Sequence, residues 1–556
     1  MAVVSSAPQL AKVEIAATGR ASQYVIIVAN ADTGQDQTQS YTLTSSAGDR
    51  LTGQYSHALR LSPESQEVSR RSAGPKPVVN TAQIAFEGRL RAFERTHLHF
   101  PAGSFRARAT KPTSGVGVRC VPSQQPEAVC PTPVPPVPGT VVVGDTVSLH
   151  VPTGPSNLCE QYVSTRAVVR AVSNHAIIVE DTLDHIAGPT FGASDFRSIA
   201  TEFDTFIYPT DVNHFGTPTD IDNNGHILLL YTGQVNKLTV PGESGFVGGF
   251  FFNGDLFPDT SANGFQQCAE SNYAEIFYLL APDPNNAFGG GAHATADIRQ
   301  LTRGTVAHEF QHMINAGNRL YNCAQCTTFE ITWLDEALAH SAEDWVGRAE
   351  DGFSDAQQLT FADITAHGND DFNAFFFQNT ARYGFWLRAP STHGLTSAFA
   401  DTSLAVRGAA WSMVEYSADQ YGGGNIATFT KKLAAGPQIG VQNLVAQAGV
   451  PFDSLLSGWL IANFASGAGI SGLKAKYSYT GYNMRDVQDN LNSGNYPLVV
   501  TDASPGTSGL LTPVNSATGA YYSATTSGEA FSVSLAGANG SGAPAAGARI
   551  YVVRLQ

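Results

Sequence analysis

The sequence predicts an α+β core domain with β-rich segments at both ends, and three observations support that reading. Residues 1 to about 150 hold short β-prone runs, "YVIIVAN", "SYTLTSS" and "TVVVGDTVSLHV", separated by turn residues. From about 160 to 485, strands are followed by long helical patterns within one stretch of chain. After about 485 the composition becomes rich in Gly, Ser, Ala and Thr, with alternating runs such as "AFSVSLAG" and "RIYVVRL". The expected units are a β-rich domain at 1–150, a central domain at 151–485 and a small β module at 486–556. A Pro-rich stretch, "CVPSQQPEAVCPTPVPPVPGT", reads as an extended linker into the central domain.

The elements of the central domain follow in order. "AVVRAVSNHAIIVEDTLD" gives two strands. "SDFRSIATEFDTFIYPTD" opens as a helix, because Phe196, Ile199, Phe203 and Phe206 recur every three or four residues. "HILLLYT", "GFVGGFFFN" and "AEIFYLLAP" are strands. Helices are expected at 302–316, 332–348, 408–420, 426–434 and 452–463. "RLRAFERTHLHF" is too short to assign. No repeat of 20–50 residues is present.

Composition narrows the function classes. The chain has 556 residues, 42% of them hydrophobic and 14% charged, with a net charge of −15. It is globular, and its acidic balance repels phosphate backbones, so nucleic acid is excluded as a partner. No window approaches the ~18–20 apolar residues of a membrane span. The N-terminus "MAVVSSAPQLAKVEIAATG" lacks the basic and apolar regions of a signal peptide; the initial Met-Ala reads as a start placed after a removed leader. Six cysteines fit three disulfides. Cys323 and Cys326 are expected to close a loop as a structural bridge, with Cys268 an alternative partner.

Chemistry concentrates in "TVAHEFQHMIN". On a helix His308 and His312 share a face, and Glu309 sits one step round. Two imidazoles and a carboxylate can hold zinc with one position open to water. Val306, Ala307, Phe310, Met313 and Ile314 supply the buried face. Such a motif arises by chance on the order of once per hundred chains, but a second segment accompanies it. In "TTFEITWLDEALAHSAEDWVG" an apolar face of Trp333, Leu334, Ala337, Leu338, Trp345 and Val346 opposes a stripe of Glu336, His340 and Glu343. That stripe is either a buried polar site or a solvated face.

"AHEFQHMIN" and "WLDEALAHSAED", with "FGTPTDIDNNGHILLLYTGQVN" upstream and "FDSLLSGWLIANF" downstream, resemble the gluzincin zinc metallopeptidases. Within that clan they resemble the hyicolysin-like family of bacterial extracellular metalloproteases, over about residues 170–470. The resemblance implies a zincin-like catalytic domain: a mixed twisted sheet, active-site helices and a mostly helical C-terminal subdomain. It implies His308, His312 and Glu336 as zinc ligands, with Glu343 and His340 as alternatives for the third, and Glu309 as catalytic base. A secreted, monomeric endopeptidase is implied, hydrolysing polypeptides with a water activated by zinc and Glu309. The competing readings are an inactive protease-fold binding or surface protein stabilised by metal ions, and a zinc hydrolase of a non-peptide amide. The metzincin pattern is absent, since no HxxGxxH follows His308.

Thermolysin-like enzymes place an Asp four residues after the glutamate ligand, and here that position is His340; the residue before the ligand is Asp335 rather than Asn. The carboxylate that orients a zinc histidine must therefore come from Glu343 or Asp344, with His340 nearby. Tyr321, Tyr383 and His393 are candidates for the oxyanion donor. Gly248, Gly249 and Phe250 read either as an edge strand that pairs with substrate or as a buried core strand. Asp220, Asp222 and Asn224, with Gly225 at the turn, read either as a calcium site or as a metal-free polar hairpin; the twelfth position is Tyr231, so this is not an EF-hand.

Overall fold

A computed structural model describes residues 3–5, 12–47, 80–100, 137–259 apart from 155, 189 and 241, 267–397 and 404–555. Most of the Pro-rich stretch, with Cys120 and Cys130, lies outside the described residues. The central unit is built on a six-stranded mixed sheet in the order Thr146–Pro152, Tyr162–Val172, Ala176–Asp181, Ile227–Thr232, Ile276–Leu280 and Gly249–Phe251. The first three strands and the last pair run antiparallel, whereas Ala176–Asp181, Ile227–Thr232 and Ile276–Leu280 run parallel. Every residue of "ILLLYT" is buried, as expected of a parallel strand covered on both faces. Gly249–Phe251 closes the sheet and is an edge strand.

The helical stretch read from 196 runs as Ala193–Glu202, a π-helical turn at Phe203–Ile207 and Tyr208–Phe215. The wider turn falls just ahead of Pro209, whose ring would clash with the carbonyl four residues back in a regular helix. The two motif helices are longer than expected, at Thr295–Gly317 and Thr332–Asp351. The second ends at Gly352, which takes the left-handed conformation (φ 78°) and donates its N–H to the Arg348 carbonyl. Helices at Ala405–Tyr421, Ile426–Ala435 and Phe452–Ala465 match the expected positions to within three residues. All eleven apolar residues assigned to the two motif helices are buried.

The terminal segments depart from the expected two modules. They interleave in one sandwich. One sheet has the order Val3–Ser5, Ala548–Arg554, Ser22–Asn30, Thr518–Thr526 and Val500–Asp502; the other has Leu510–Asn515, Thr38–Ala47, Phe531–Gly537 and Lys12–Ile15. A period-2 pattern shows that a strand exists but not which strand completes its ladder. "YVIIVAN" lacks alternation because both its faces are covered. Tyr24, Ile26 and Val28 enter the sandwich core, while Val25, Ile27 and Ala29 join the core of the central unit. The Tyr521 hydroxyl donates to the Leu460 carbonyl across that junction at 2.8 Å.

Two further expectations are corrected. "TVSLHV" belongs to the central sheet, so a boundary at 150 cuts a strand. The unassigned "RLRAFERTHLHF" is the end of a 17-residue helix, Thr81–His97, capped by the Asn80 side chain accepting from the Gln83 N–H. Phe86, Leu90 and Phe93 give it a buried stripe. Cys323–Cys326 forms the expected loop bridge, and Cys268 pairs instead with Cys159.

Close packing sets one residue on the first motif helix. A Cβ at Gly304 would stand 2.2 Å from the Ala374 carbonyl oxygen. Gly304→Ala should cost about 1–3 kcal/mol of stability from overpacking, read as a lower urea midpoint with an unchanged slope; an unaltered midpoint would show that the two segments can part freely.

Candidate metal centre

One helical turn brings His308 and His312 together, and their Nε2 atoms lie 3.1 Å apart. His308 Nδ1 meets Glu343 Oε1 at 2.7 Å, and His312 Nδ1 meets Asp335 Oδ2 at 2.9 Å. A carboxylate accepts, so each Nδ1 carries the proton and each Nε2 presents a lone pair. Two lone pairs facing across 3.1 Å repel unless a proton or a metal cation lies between them; burial would lower His308, but Glu336 and Glu343 outweigh that and raise it to about 10, so without metal a proton fills the gap.

Glu336 supplies the third corner, with Oε2 3.5 Å from His308 Nε2 and Oε1 3.9 Å from His312 Nε2. Tetrahedral bonds of about 2.1 Å place ligand atoms roughly 3.4 Å apart, so the residues fit a divalent metal. Glu336 Oε2 is buried with no hydrogen bond; Arg407 Nη1 stands 3.1 Å from it, outside hydrogen-bond geometry. A second grouping, His308, His340 and Glu343, is also compact. Its contacts of 2.7 and 2.9 Å are hydrogen-bond lengths, shorter than metal ligands allow. It works as a relay. Glu343 holds His308, His340 Nδ1 holds Glu343, and Arg382 Nη1 lies 3.0 Å from His340 Nε2.

Electrostatics agree with these roles. Burial alone would raise Glu343, but His340 and His308 outweigh it and hold the carboxyl down at about 2. Burial would likewise raise Asp335, yet His312 and Arg91 bring it below its ordinary value. Burial, with Arg382 adding to it, lowers His340 to about 4 against the pull of Glu343, so it is neutral at pH 7.

Glu309 Oε2 accepts the Phe251 N–H at 2.8 Å, which ties the carboxylate to the edge strand and leaves Oε1 for other chemistry. Gly248, Gly249, Thr305, Glu309, Arg382 and Arg407 line the cleft beside His308. Gly249 is held to glycine by space, since a Cβ would meet Thr305 at 2.9 Å and the Tyr278 carbonyl at 3.0 Å. Phe250 is buried, stacking on Tyr278, so the strand is an edge in its backbone and a core strand in its side chain.

Several expected residues stand elsewhere. Asp344 pairs with Arg348 at 3.2 Å and with the Tyr482 hydroxyl, remote from the imidazoles in its contacts. The Tyr321 hydroxyl donates to the Leu256 carbonyl, and the Tyr383 hydroxyl to Asn463 Oδ1. The His393 carbonyl accepts from Trp386 Nε1, and none of the three lines the cleft. Aromatic and imidazole groups commonly donate to oxyanions, but both tyrosine hydroxyls are engaged away from the cleft.

In the turn at 220–225, Asp220 and Asp222 converge with Glu275. The Asn224 amide donates to Asp222 Oδ2 and to the Val137 carbonyl, and its oxygen accepts the His226 N–H. Glu275 comes from 50 residues away, beyond the reach of a local motif. Burial, reinforced by Glu275, pushes Asp222 up to about 8, and burial pushes Glu275 up to about 7.

Sequence reading gave Asp335 no role and missed Arg91, Arg382 and Arg407. Asp335 was legible as the residue beside the ligand; the arginines carried no motif.

No family model matches the chain. Over 152 residues it is 30% identical to the neutral metalloprotease ShpI of Staphylococcus hyicus. That match takes in 26% of this chain, and the chain spans 30% of that protein's length. A partial relative is therefore a metalloprotease.

Glu343→Gln and Asp335→Asn should each weaken metal binding about 10- to 100-fold by freeing an imidazole, measured by competition against a colorimetric chelator. Affinity unchanged in both variants would remove the carboxylates from this role.

Proposed function

We propose that the chain is a zinc endopeptidase of the gluzincin type, built on a zincin-like domain, acting on polypeptides. One observation carries the reading. Two imidazoles, each oriented by its own carboxylate, converge with Glu336 on one point while Glu309 stands beside them at a sheet edge. Zinc there would supply Lewis acidity and lower the pKa of water toward about 7.

The chain's own groups do the rest. Glu309 takes a proton from the attacking water and returns it to the leaving amine. The Phe251 N–H fixes which way that carboxylate faces. An extended substrate would lie along the Gly248–Gly249 edge, where backbone pairing holds it without regard to sequence. Arg382 and Arg407, the cations lining the cleft, take the oxyanion-stabilising role expected of Tyr321, Tyr383 or His393. The disulfides Cys159–Cys268 and Cys323–Cys326 suit a secreted protein in an oxidising compartment. Among the described residues no single helix is long and apolar enough to cross a membrane.

Because Arg91 Nη2 lies 3.6 Å from Glu336 Oε1, the assay is run on the native chain and on Arg91→Ala. Hydrolysis of unfolded casein should require zinc and stop with 1,10-phenanthroline. Glu309→Gln should lower the rate by about 10²–10⁴-fold while bound zinc stays the same. Full activity in Glu309→Gln would refute the assignment; chelator-sensitive hydrolysis of small amides but not of casein would make this an amidase.

We also propose that Asp220, Asp222 and Glu275 hold a calcium ion that ties the 220–225 turn to the sheet. Calcium should raise Tm in the native chain and leave Tm unchanged in Asp222→Asn, by thermal melting with and without added calcium. Equal shifts in both would place the ion elsewhere.

A further inference from the structure

The helix Thr81–His97 lies where a substrate should. Its Arg91 is buried, with Nη2 3.3 Å from His312 Nε2, 3.6 Å from Glu336 Oε1 and 3.2 Å from Asp335 Oδ2. Nη1 is steadied by Glu94 at 3.1 Å. A guanidinium so placed spends its charge on the ligand set itself. Four residues before it, Glu87 pairs with Arg407, one of the two cleft cations.

The helix start takes the sheet edge. Gln83 Oε1 accepts the Gly248 N–H at 3.1 Å, Asn80 Nδ2 donates to the Phe246 carbonyl at 2.8 Å, and the Ala82 N–H donates to the Ser244 carbonyl at 3.3 Å. Phe86 packs on Phe250 with ring centroids 4.8 Å apart. Metal corner, cleft cation and edge backbone are all engaged by one segment of the same chain.

We propose that the helix Thr81–His97 is an intramolecular inhibitor that fills the substrate cleft, with Arg91 covering the ligand triad. The inference rests on the metallopeptidase reading for its purpose, though the blockade itself does not. A substrate strand and this helix cannot occupy the cleft together, because Asn80, Gln83 and Glu87 of the helix start already line it. The tether keeps the helix at high effective concentration, so a free polypeptide competes poorly until the helix withdraws.

The test uses the full zinc-loaded chain and two readouts. The first is the rate at which 4-(2-pyridylazo)resorcinol strips the zinc, followed by colour. The second is casein hydrolysis. Arg91→Ala removes the charged contact, and Phe86→Ala loosens the same helix without touching the ligands. Circular dichroism checks that both fold. In each variant zinc removal should accelerate about 10- to 100-fold, as expected for losing one charge-assisted hydrogen-bond set or one buried ring, and casein hydrolysis should rise. Faster zinc removal with no hydrolysis in any variant would uphold the blockade and refute the peptidase reading. Zinc removal and hydrolysis unchanged or slower in both variants would overturn the inhibitor, making the helix a supporting wall of the site.

Discussion

Two imidazole nitrogens face each other 3.1 Å apart, a separation that requires a proton or a metal cation between them. That constraint organises the rest of the site. Each ring is fixed at its far nitrogen by a carboxylate, Glu343 for His308 and Asp335 for His312. The near nitrogens therefore turn inward, and a proton or a metal ion relieves their repulsion. Glu336 arrives from the same helix as both orienting carboxylates, so one helix, over two turns, supplies the third ligand and the supports for the other two.

The surrounding fold serves to hold that arrangement dry and still. The two motif helices pack on each other and under the edge strand, and their apolar residues are almost wholly excluded from water. Buried charge of this density is tolerable only when every group has a partner of opposite sign. Arg382 answers the Glu343 relay, and Arg407 stands against Glu336. Arg91 then adds a cation from outside the central sheet, which is why a segment some 220 residues away in sequence closes the cleft.

What the sequence made legible was local. His308, Glu309 and His312 follow from helical periodicity alone, and the stripe of Glu336, His340 and Glu343 from the same period read one helix later. Glu343 was one of two residues named for orienting a histidine; Asp344, its neighbour, points to Arg348 and Tyr482 instead, because adjacent helical residues diverge by about 100°. Contacts between distant segments were not legible. Glu275 joins Asp220 and Asp222 through sheet register. The terminal strands interleave because each leaves an edge that the other completes. The helix carrying Arg91 was passed over, since its apolar stripe is short and its purpose lies in the cleft it fills.

The account is tested most directly by X-ray diffraction from zinc-loaded crystals above and below the zinc absorption edge. It predicts one anomalous peak bonded to His308 Nε2, His312 Nε2 and a Glu336 oxygen at about 2.0–2.2 Å, with Glu343 and Asp335 still on the two Nδ1 atoms. A peak centred among His308, His340 and Glu343, or no peak within reach of His312, would contradict it.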